Sequence, residues 1–246
     1  MTRNANQNPM KKLLLSVLTV LLIVGATSCK KINGKGDLVN ESRTVTNYSE
    51  ISLSLPGQVN FKQDSVYRLT VNAQENLMPY IQTYTNGGTL VIKVKNNYVL
   101  GIHDPITINI TAPGVSSLHV NGSGDIYVAE AWTPATASLN ISGSGNINVD
   151  TLSCENLNAR ISGSGNINIS KGIDSGATLN ISGSGTIHSE GVASATVTST
   201  ISGSGNIYCW AVAQLLATIS GSGSIYYKGT PQVETHISGS GTVQHL

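Results

Sequence analysis

Two carboxylates have the spacing that comes nearest to a catalytic pair. Asp150 and Glu190 each lie five residues after the second glycine of a Gly-Ser-Gly segment. Two other segments have Ser170 and Trp210 at this position. If successive segments stacked as neighbouring strands, the two carboxylates would lie two strands apart, at about 9.6 Å. This distance is near the upper end of the carboxylate separation in inverting glycosidases. No Arg or Lys flanks either carboxylate. We therefore expect two solvated corner residues and no catalytic residue, which makes a polysaccharide hydrolase or lyase the weakest class of function.

A calcium site is the second chemical candidate. Residues 122–125 (Gly-Ser-Gly-Asp) resemble a fragment of the glycine-aspartate repeat that binds calcium, which requires charged oxygen ligands in successive coils. Only the first segment has an aspartate at this phase, and neutral polar residues follow in the others. These residues are Asn146, Asn166, Thr186, Asn206, Ser224 and Thr242. We expect a hydrogen-bonded polar ladder here, with no metal and no cofactor.

The third candidate is a ligand-binding face. The residue three positions after each second glycine is aromatic or an amide in most segments, and we predict that these side chains point outward from one sheet. The predicted face consists of Tyr127, Asn148, Asn168, His188, Tyr208 and Tyr226, and Gln244 continues it. Aromatic rings and amides in a row can bind sugar rings and hydroxyls, so a glycan or protein ligand is possible here. The alternative is a solvent-facing ladder without a ligand.

These candidates all depend on an internal repeat. The pattern (Ile/Val)-(Ser/Asn)-Gly-Ser-Gly-X-(Ile/Val) occurs seven times, in steps of 18 to 21 residues. A near-constant step of this length is typical of a solenoid. A tight bend between two strands requires glycine, either for a positive φ or because backbones approach closely. The predicted turn residues are the first glycines of the segments, Gly122, Gly143, Gly163, Gly183, Gly203, Gly221 and Gly239.

Apolar and polar residues alternate on both sides of each glycine corner, which indicates two short strands per unit. A third strand is indicated by Leu152, Ile173, Val192 and Val212. Three strands in about twenty residues predict an all-β fold, a parallel β-helix in which each strand pairs with its equivalent in the next unit. The alternative is a stack of β-hairpins that pair within each unit. The constancy of the columns favours the β-helix.

The N-terminus resembles a bacterial lipoprotein signal. A basic start (10–12), an apolar run (13–24) too short to span a bilayer and small residues (25–28) precede Cys29. We expect residues 1–28 to be a signal peptide and Cys29 to carry a lipid that attaches the protein to the membrane. The alternative is a plain cleavable signal. We expect an outer-membrane lipoprotein. Acidic residues directly after the cysteine would resemble a signal for export to the cell surface, but lysines follow it here. The choice between the periplasmic side and the cell surface therefore stays open.

Domain organisation follows from the repeat. We predict a linker over 29–37 and one β-helix domain over 38–246, in which 116–246 contains the seven repeat coils. Residues 38–115 are β-rich but less regular, with an Asn-Gly hairpin signal between 84 and 92 and a possible helical turn over 75–81. Solenoids require atypical terminal units to stay soluble, so this region is expected to begin and cap the β-helix.

Charge and cysteines exclude further classes. The formal net charge is +1 and the only arginine after residue 100 is Arg160, so the chain has no electrostatic footprint for nucleic acid. Cys154 and Cys209 fall in different columns three coils apart, about 14 Å along the axis and beyond the reach of a disulfide. We expect two free thiols, with Cys209 buried.

Several segments carry a resemblance to a known family. They are Arg43-Thr44-Val45, Tyr48-Ser49-Glu50-Ile51, Glu75-Asn76-Leu77, Gly88-Thr89-Leu90-Val91-Ile92 and the repeated Ser-Gly-Ser-Gly-(Asn/Asp)-Ile units. Over roughly residues 40–246 the chain resembles the "putative auto-transporter adhesin, head GIN domain" family of Bacteroidetes envelope proteins. The resemblance implies a right-handed β-helix, placement in the cell envelope and no catalytic residues. We expect a non-enzymatic, lipid-anchored adhesin; the alternative is a structural or envelope-sensing accessory protein without its own ligand. The oligomeric state stays open.

Overall fold

The computed structural model describes residues 29–45 and 47–246, and these residues are almost entirely β-strand. The predicted signal peptide, residues 1–28, lies outside the described residues. Within the described part of the chain, the search for a helix long and apolar enough to cross a membrane finds none.

The repeat region consists of strands that bend around successive coils. Its strands are β10 (Ser117–Gly122), β11 (Asp125–Trp132), β12 (Thr136–Gly143), β13 (Asn146–Ser153), β14 (Asn156–Gly163), β15 (Asn166–Gly183), β16 (Thr186–Gly203), β17 (Asn206–Gly221), β18 (Ser224–Lys228), β19 (Gln232–Gly239) and β20 (Thr242–His245). All of their pairings with one another are parallel.

Each repeat strand pairs with its equivalent in the next coil. Val120 lies beside Ile141, and Ile141 lies beside Ile161. The same column continues to Ile219, and every one of these side chains is buried. This pairing confirms the predicted parallel β-helix and excludes hairpins that pair within a unit. Aliphatic ladders from successive coils form the core, which is contiguous with that of the N-terminal part.

The N-terminal part contains shorter strands and one helix. Its elements are β1 (Lys30–Ile32), β2 (Leu38–Arg43), β3 (Glu50–Ser54), β4 (Gln58–Gln63), β5 (Arg68–Gln74), a 3₁₀ helix (Glu75–Tyr80), β6 (Ile81–Asn86), β7 (Thr89–Val94), β8 (Tyr98–Leu100) and β9 (Thr107–Ala112). The helical turn expected over 75–81 is therefore present.

This part stacks on the repeat coils and covers their N-terminal end. Strands β3 and β4 meet at Pro56-Gly57 and stack in parallel on β10 and β11. On their other edge they pair with β7 and β9, so the earlier coil lies between two later ones. Antiparallel strands then close this end of the solenoid, since β6 pairs with β7, β5 with β9, and β2 with β5.

Two details of the N-terminal part differ in position from the sequence expectations. The hairpin of β6 and β7 turns at Gly87 and Gly88, whose φ angles are 57° and 82°, one residue later than the Asn-Gly pair. Positive φ at both central residues is typical of a type I′ turn. In the segment expected as a linker (29–37), β1 pairs in parallel with β8.

Glycine at the corners is required by both backbone conformation and space. At Gly143 φ is 138°, and a side-chain carbon would meet the carbonyl oxygen of Gly122 in the coil below. At the second glycine of the unit only space requires glycine, because a Cβ at Gly145 would meet the carbonyl oxygen of Gly124. The two glycines of each corner therefore allow the coils to stack closely.

The third strand of each unit forms, but two of its predicted markers face solvent. Leu152 and Val192 are buried, whereas Ile173 is 60% exposed and Val212 is 52% exposed. Gly172 occupies the column between Leu152 and Val192, which turns the next residue outward. The register also shifts between β16 and β17, where the coil is shorter, and this shift has the same effect on Val212.

Candidate ligand-binding face

The predicted outward column exists as a continuous row across the strands. Register pairs connect Tyr127, Asn148, Asn168, His188, Tyr208 and Tyr226 in that order, and Gln244 follows in β20. The row extends beyond the prediction, because Asn60 pairs with Tyr127 and Asn109 pairs with Asn60. We call these nine residues the outward column. Asn60 was not among the predicted residues. It lies between Val59 and Phe61, and this alternation of apolar and polar residues is the same as in the repeat units.

Three rings of the outward column stack on one another. The ring centroids of His188 and Tyr208 are 4.5 Å apart with the planes at 9°, and those of Tyr208 and Tyr226 are 4.7 Å apart at 12°. This spacing is that of neighbouring strands, so the parallel register itself creates the stack. Because the rings cover each other's faces, they present edges and polar tips to solvent. The solvent-facing chemistry of this segment is therefore hydrogen bonding.

Amide side chains form the other parts of the outward column. The Asn168 side-chain amide donates to Oδ1 of Asn148 at 2.8 Å, and that of Asn60 donates to Oδ1 of Asn109 at 2.9 Å. Such a bond uses one donor and one acceptor per pair and leaves further donor and acceptor capacity at the surface. The ladder fixes the orientation of the amides, so a ligand would meet them preorganised.

An open depression of about 310 Å³ lies beside the stacked rings. Asn168, His188, Glu190 and Lys228 are among the residues that line it. Nδ1 of His188 lies 3.0 Å from Oε1 of Glu190, which orients the imidazole, and Nζ of Lys228 donates to the backbone oxygen of Glu190 at 3.3 Å. Oε2 of Glu190 is buried and has no hydrogen-bond partner within the described residues. The depression thus has both donors and an acceptor.

The two carboxylates that the sequence analysis weighed as a catalytic pair have separate partners. Glu190 contacts His188, as described above, whereas Asp150 is exposed and accepts a hydrogen bond from the hydroxyl of Thr151 at 3.3 Å. The expectation of two solvated residues therefore holds for Asp150 but not for Glu190, which is half-buried.

The polar ladder expected at the corners is present. Oδ1 of Asp125 accepts hydrogen bonds from the backbone N–H of Asn146 at 2.9 Å and from its side-chain amide at 2.7 Å. The amide of Asn166 in turn donates to Oδ1 of Asn146 at 2.9 Å. Among residues 29–45 and 47–246, no group of three His, Cys, Asp or Glu side chains could hold a metal ion. The corner carboxylate is therefore satisfied by amide donors.

The cysteines lie where the register predicted. Cys209 is buried beside Ser189, Cys154 lies near Asp174 in another column, and both thiols are free. Burial raises the pKa of Cys209 to about 12 and that of Cys154 to about 11. Both thiols therefore stay protonated and unreactive near neutral pH.

One buried acid was not predicted from the sequence. Asp174 is only 4% exposed, and its Oδ2 accepts a hydrogen bond from the hydroxyl of Ser194 at 3.0 Å, while Oδ1 is buried without a hydrogen-bond partner among the described residues. Burial raises the pKa of Asp174 to about 6, and the hydrogen bond from Ser194 opposes this increase.

We expect Asp174→Asn to change how stability depends on pH. Because the folded pKa lies above the unfolded value, the protonated carboxyl stabilises the fold fully below about pH 4, and this contribution is lost as the pH rises through about 6. The amide variant should be more stable than the wild type above this window by about 1–3 kcal/mol. Urea unfolding at several pH values measures the difference. A wild type and variant with parallel pH profiles would contradict it.

Comparison with known proteins places the chain in a defined family. The sequence model of the family described as "Putative auto-transporter adhesin, head GIN domain" matches residues 47–231. The chain belongs to this family. The match confirms the resemblance that the corner units carried. No curated protein matches the chain.

Solved structures support the fold of this head GIN family member. A "putative adhesin" from Bacteroides fragilis is 25% identical, with a TM-score of 0.82 over 87% of this chain and 100% of its own. A "putative lipid binding protein" from Parabacteroides distasonis is 28% identical, with a TM-score of 0.74 over 88% of this chain and 100% of its own. A "putative adhesin" from the same species is 26% identical, with the same TM-score and coverage.

Proposed function

We propose that this protein is a lipid-anchored, non-enzymatic envelope adhesin that binds an extended glycan through its outward column. The observation that carries the proposal is the row of polar tips in strict register, with stacked rings at one end and hydrogen-bonded amides beside them. Family membership and relatives named as adhesins support envelope placement and a binding role.

A glycan suits this face better than a protein does. The column lies on a sheet, and its members between Tyr127 and Tyr226 are tyrosine, asparagine and histidine, which pair with hydroxyl groups as donors and as acceptors. Since every coil adds one such residue at the strand spacing, an extended polymer with repeating hydroxyls would meet a repeating set of partners. Protein interfaces usually centre on aromatic anchors that enter pockets of the partner, whereas the rings of His188, Tyr208 and Tyr226 are already stacked on one another.

A glycan array followed by calorimetry tests the binding face. The chain from residue 30 onward contains every strand of the structure and would be the probe. Asn168→Ala should weaken the binding of an array hit about 3- to 10-fold, because a net hydrogen bond is worth about 0.5–1.5 kcal/mol. Asn180→Ala is the matched control, since Asn180 is an equally half-buried amide on the outer face of another sheet.

Two results would contradict the proposed binding face. Equal losses for both asparagine variants would place the ligand elsewhere, and an array without any hit would favour an accessory role without a ligand. Tyr208→Phe adds a finer measurement, because it removes one hydroxyl and keeps the ring in the stack with His188 and Tyr226.

The lipid anchor has a test of its own. Cys29 is exposed, and replacing it with alanine should release the protein from the membrane fraction into the soluble fraction. The substitution would remove only the site of lipid attachment, so the β-helix would stay intact. Immunoblots of fractionated cells and circular dichroism of the released protein measure the two effects. Full-length Cys29→Ala protein that stays in the membrane fraction would contradict lipid attachment at this residue.

A further inference from the structure

The two ends of the solenoid differ in how their strand edges are covered. Antiparallel strands close the N-terminal end, whereas β19 and β20 pair only with the preceding coil among the described residues. Every residue of β19 is exposed. Strand edges are commonly protected by charged residues, above all lysine, or by proline or a bulge. The strand β19 (QVETHISG) contains no lysine or proline and pairs with β17 without a register shift, and its one carboxylate, on Glu234, lies 3.0 Å from Nε2 of His236 in the same strand. This edge is therefore open to another strand.

The hydrogen-bond pattern of the coils shows which residues face the open edge. Ser138, which is in the column of Glu234, donates its N–H to the preceding coil at Ser116 (2.9 Å), and Ser240 donates to Gly221 at 3.0 Å. Backbone groups alternate in direction along a strand. Val233, Thr235 and Ile237 therefore direct their N–H and C=O groups away from the preceding coil and toward the open edge.

We propose that β19 pairs antiparallel with β19 of a second copy of this chain, about a two-fold axis through Thr235. In this register Val233 lies opposite the partner's Ile237, and Glu234 lies opposite the partner's His236. The three outward-directed residues, Val233, Thr235 and Ile237, then exchange backbone hydrogen bonds with their counterparts. Such an interface is isologous, because the same strand is used by both copies.

Side-chain chemistry favours a second copy as the occupant. Val233 is 36% exposed and Ile237 is 46% exposed, although their columns are buried in the coil before. The pairing would cover both with an apolar partner on the same side of the sheet. It would also place a carboxylate opposite an imidazole, whereas an axis through Glu234 would place two carboxylates directly opposite each other, which is unfavourable.

The two-fold dimer would place the same end of each copy outermost. Cys29 precedes β1, which pairs with β8, and Tyr98 of β8 contacts Tyr80 of the 3₁₀ helix at 4.7 Å between ring centroids. These elements belong to the capped N-terminal part, so the two copies of Cys29 would lie at opposite ends of the pair. This step rests on the lipid anchor proposed above, since a lipid on each Cys29 would then allow contact between two facing membranes.

Cysteine cross-linking tests the register directly. Directly opposed residues that are not hydrogen-bonded have Cα atoms about 4.5 Å apart, within disulfide range. In the chain from residue 30 onward, E234C protein mixed with H236C protein should form a disulfide-linked dimer under mild oxidation. Each variant alone should not, because neither position lies opposite itself. Cross-linking of a single variant to the same extent as the mixture would overturn the proposed register.

Molar mass in solution tests whether the pair forms at all. Light scattering after size exclusion at micromolar to millimolar concentrations should give the mass of a dimer for the wild type and of a monomer for Ile237→Lys. Because Ile237 is half-exposed, this variant should keep the wild-type circular dichroism spectrum. Leu38→Lys, at the capped end and 49% exposed, is the matched control and should stay dimeric. A monomeric wild type, or a dimer that survives Ile237→Lys, would overturn the proposal.

Discussion

Gly163→Ala is expected to lower the free energy of unfolding by about 2–6 kcal/mol, from backbone strain and overpacking together. Gly163 has a φ of 138°, which side chains other than glycine rarely adopt. Its Cβ would also meet the carbonyl oxygen of Gly143, which is backbone and cannot rotate away. Both coils would have to move apart, and their parallel hydrogen bonds would weaken. Urea unfolding followed by circular dichroism measures the loss.

Gly122 provides the matched control for this prediction. Its φ of 129° imposes almost the same backbone strain, but a Cβ there would have no atom within 4 Å. Gly122→Ala should therefore cost only the conformational part, about 1–3 kcal/mol. Equal destabilisation by the two variants would show that stacking between the coils contributes nothing to the requirement for glycine.

The corners show why so much of the repeat region could be predicted from the sequence. A corner glycine is required separately in each coil, so the sequence marks every coil at the same point. The register that follows from aligning these glycines is the one in the structure, for example Gly143 beside Gly163 and Ile141 beside Ile161. The position of Cys209 in the buried column of Ser189 follows from the same alignment.

Away from the corners the prediction loses accuracy, because the connection between strands varies in length. Ile173 and Val212 were predicted as markers of the third strand. In the structure both side chains face solvent, because Gly172 and the register shift before Trp210 turn them outward. A shift of one residue reverses the face of every following side chain. The burial of Asp174 could not be predicted either, because the residues around it in the sequence show no regular apolar pattern.

The path of the N-terminal part could not be derived from periodicity either. Strands β3 and β4 form a coil between the layer of β7 and β9 and the layer of β10 and β11. This order requires the chain to fold back through antiparallel strands, and residues 64–116 contain no repeat that would show it. The alternation of apolar and polar residues around Pro56-Gly57 resembles a repeat corner, but it does not show this path.

For the candidate site, the sequence predicted the members of the column but not what their rings contact. The alignment placed His188, Tyr208 and Tyr226 in one row, and the structure confirms that register. Parallel in-register pairing then stacks like rings on like rings at the strand spacing. This packing leaves polar tips rather than ring faces for a ligand, which shifts the expected recognition toward hydrogen bonds.

Trp132→Ala is expected to lower the free energy of unfolding by about 3–5 kcal/mol, the usual cost of removing a large buried aromatic side chain. Trp132 is fully buried at the end of β11, and its Nε1–H donates to the backbone oxygen of Val115 at 2.9 Å. Its ring also meets Phe61 of β4 edge-on, with the centroids 6.5 Å apart. The variant would leave a cavity and a buried carbonyl group without its donor, at the junction between the cap and the first repeat coil.

The second tryptophan provides the control for this last prediction. Trp210 is 38% exposed, so Trp210→Ala should change the free energy of unfolding by no more than about 1 kcal/mol. Trp132→Phe retains most of the buried volume but not the donor to Val115, so it should fall between the two. Urea unfolding followed by far-ultraviolet circular dichroism measures all three variants. If Trp132→Ala unfolded at the same urea concentration as Trp210→Ala, the packing between Phe61 and Trp132 would not contribute to the stability of this junction.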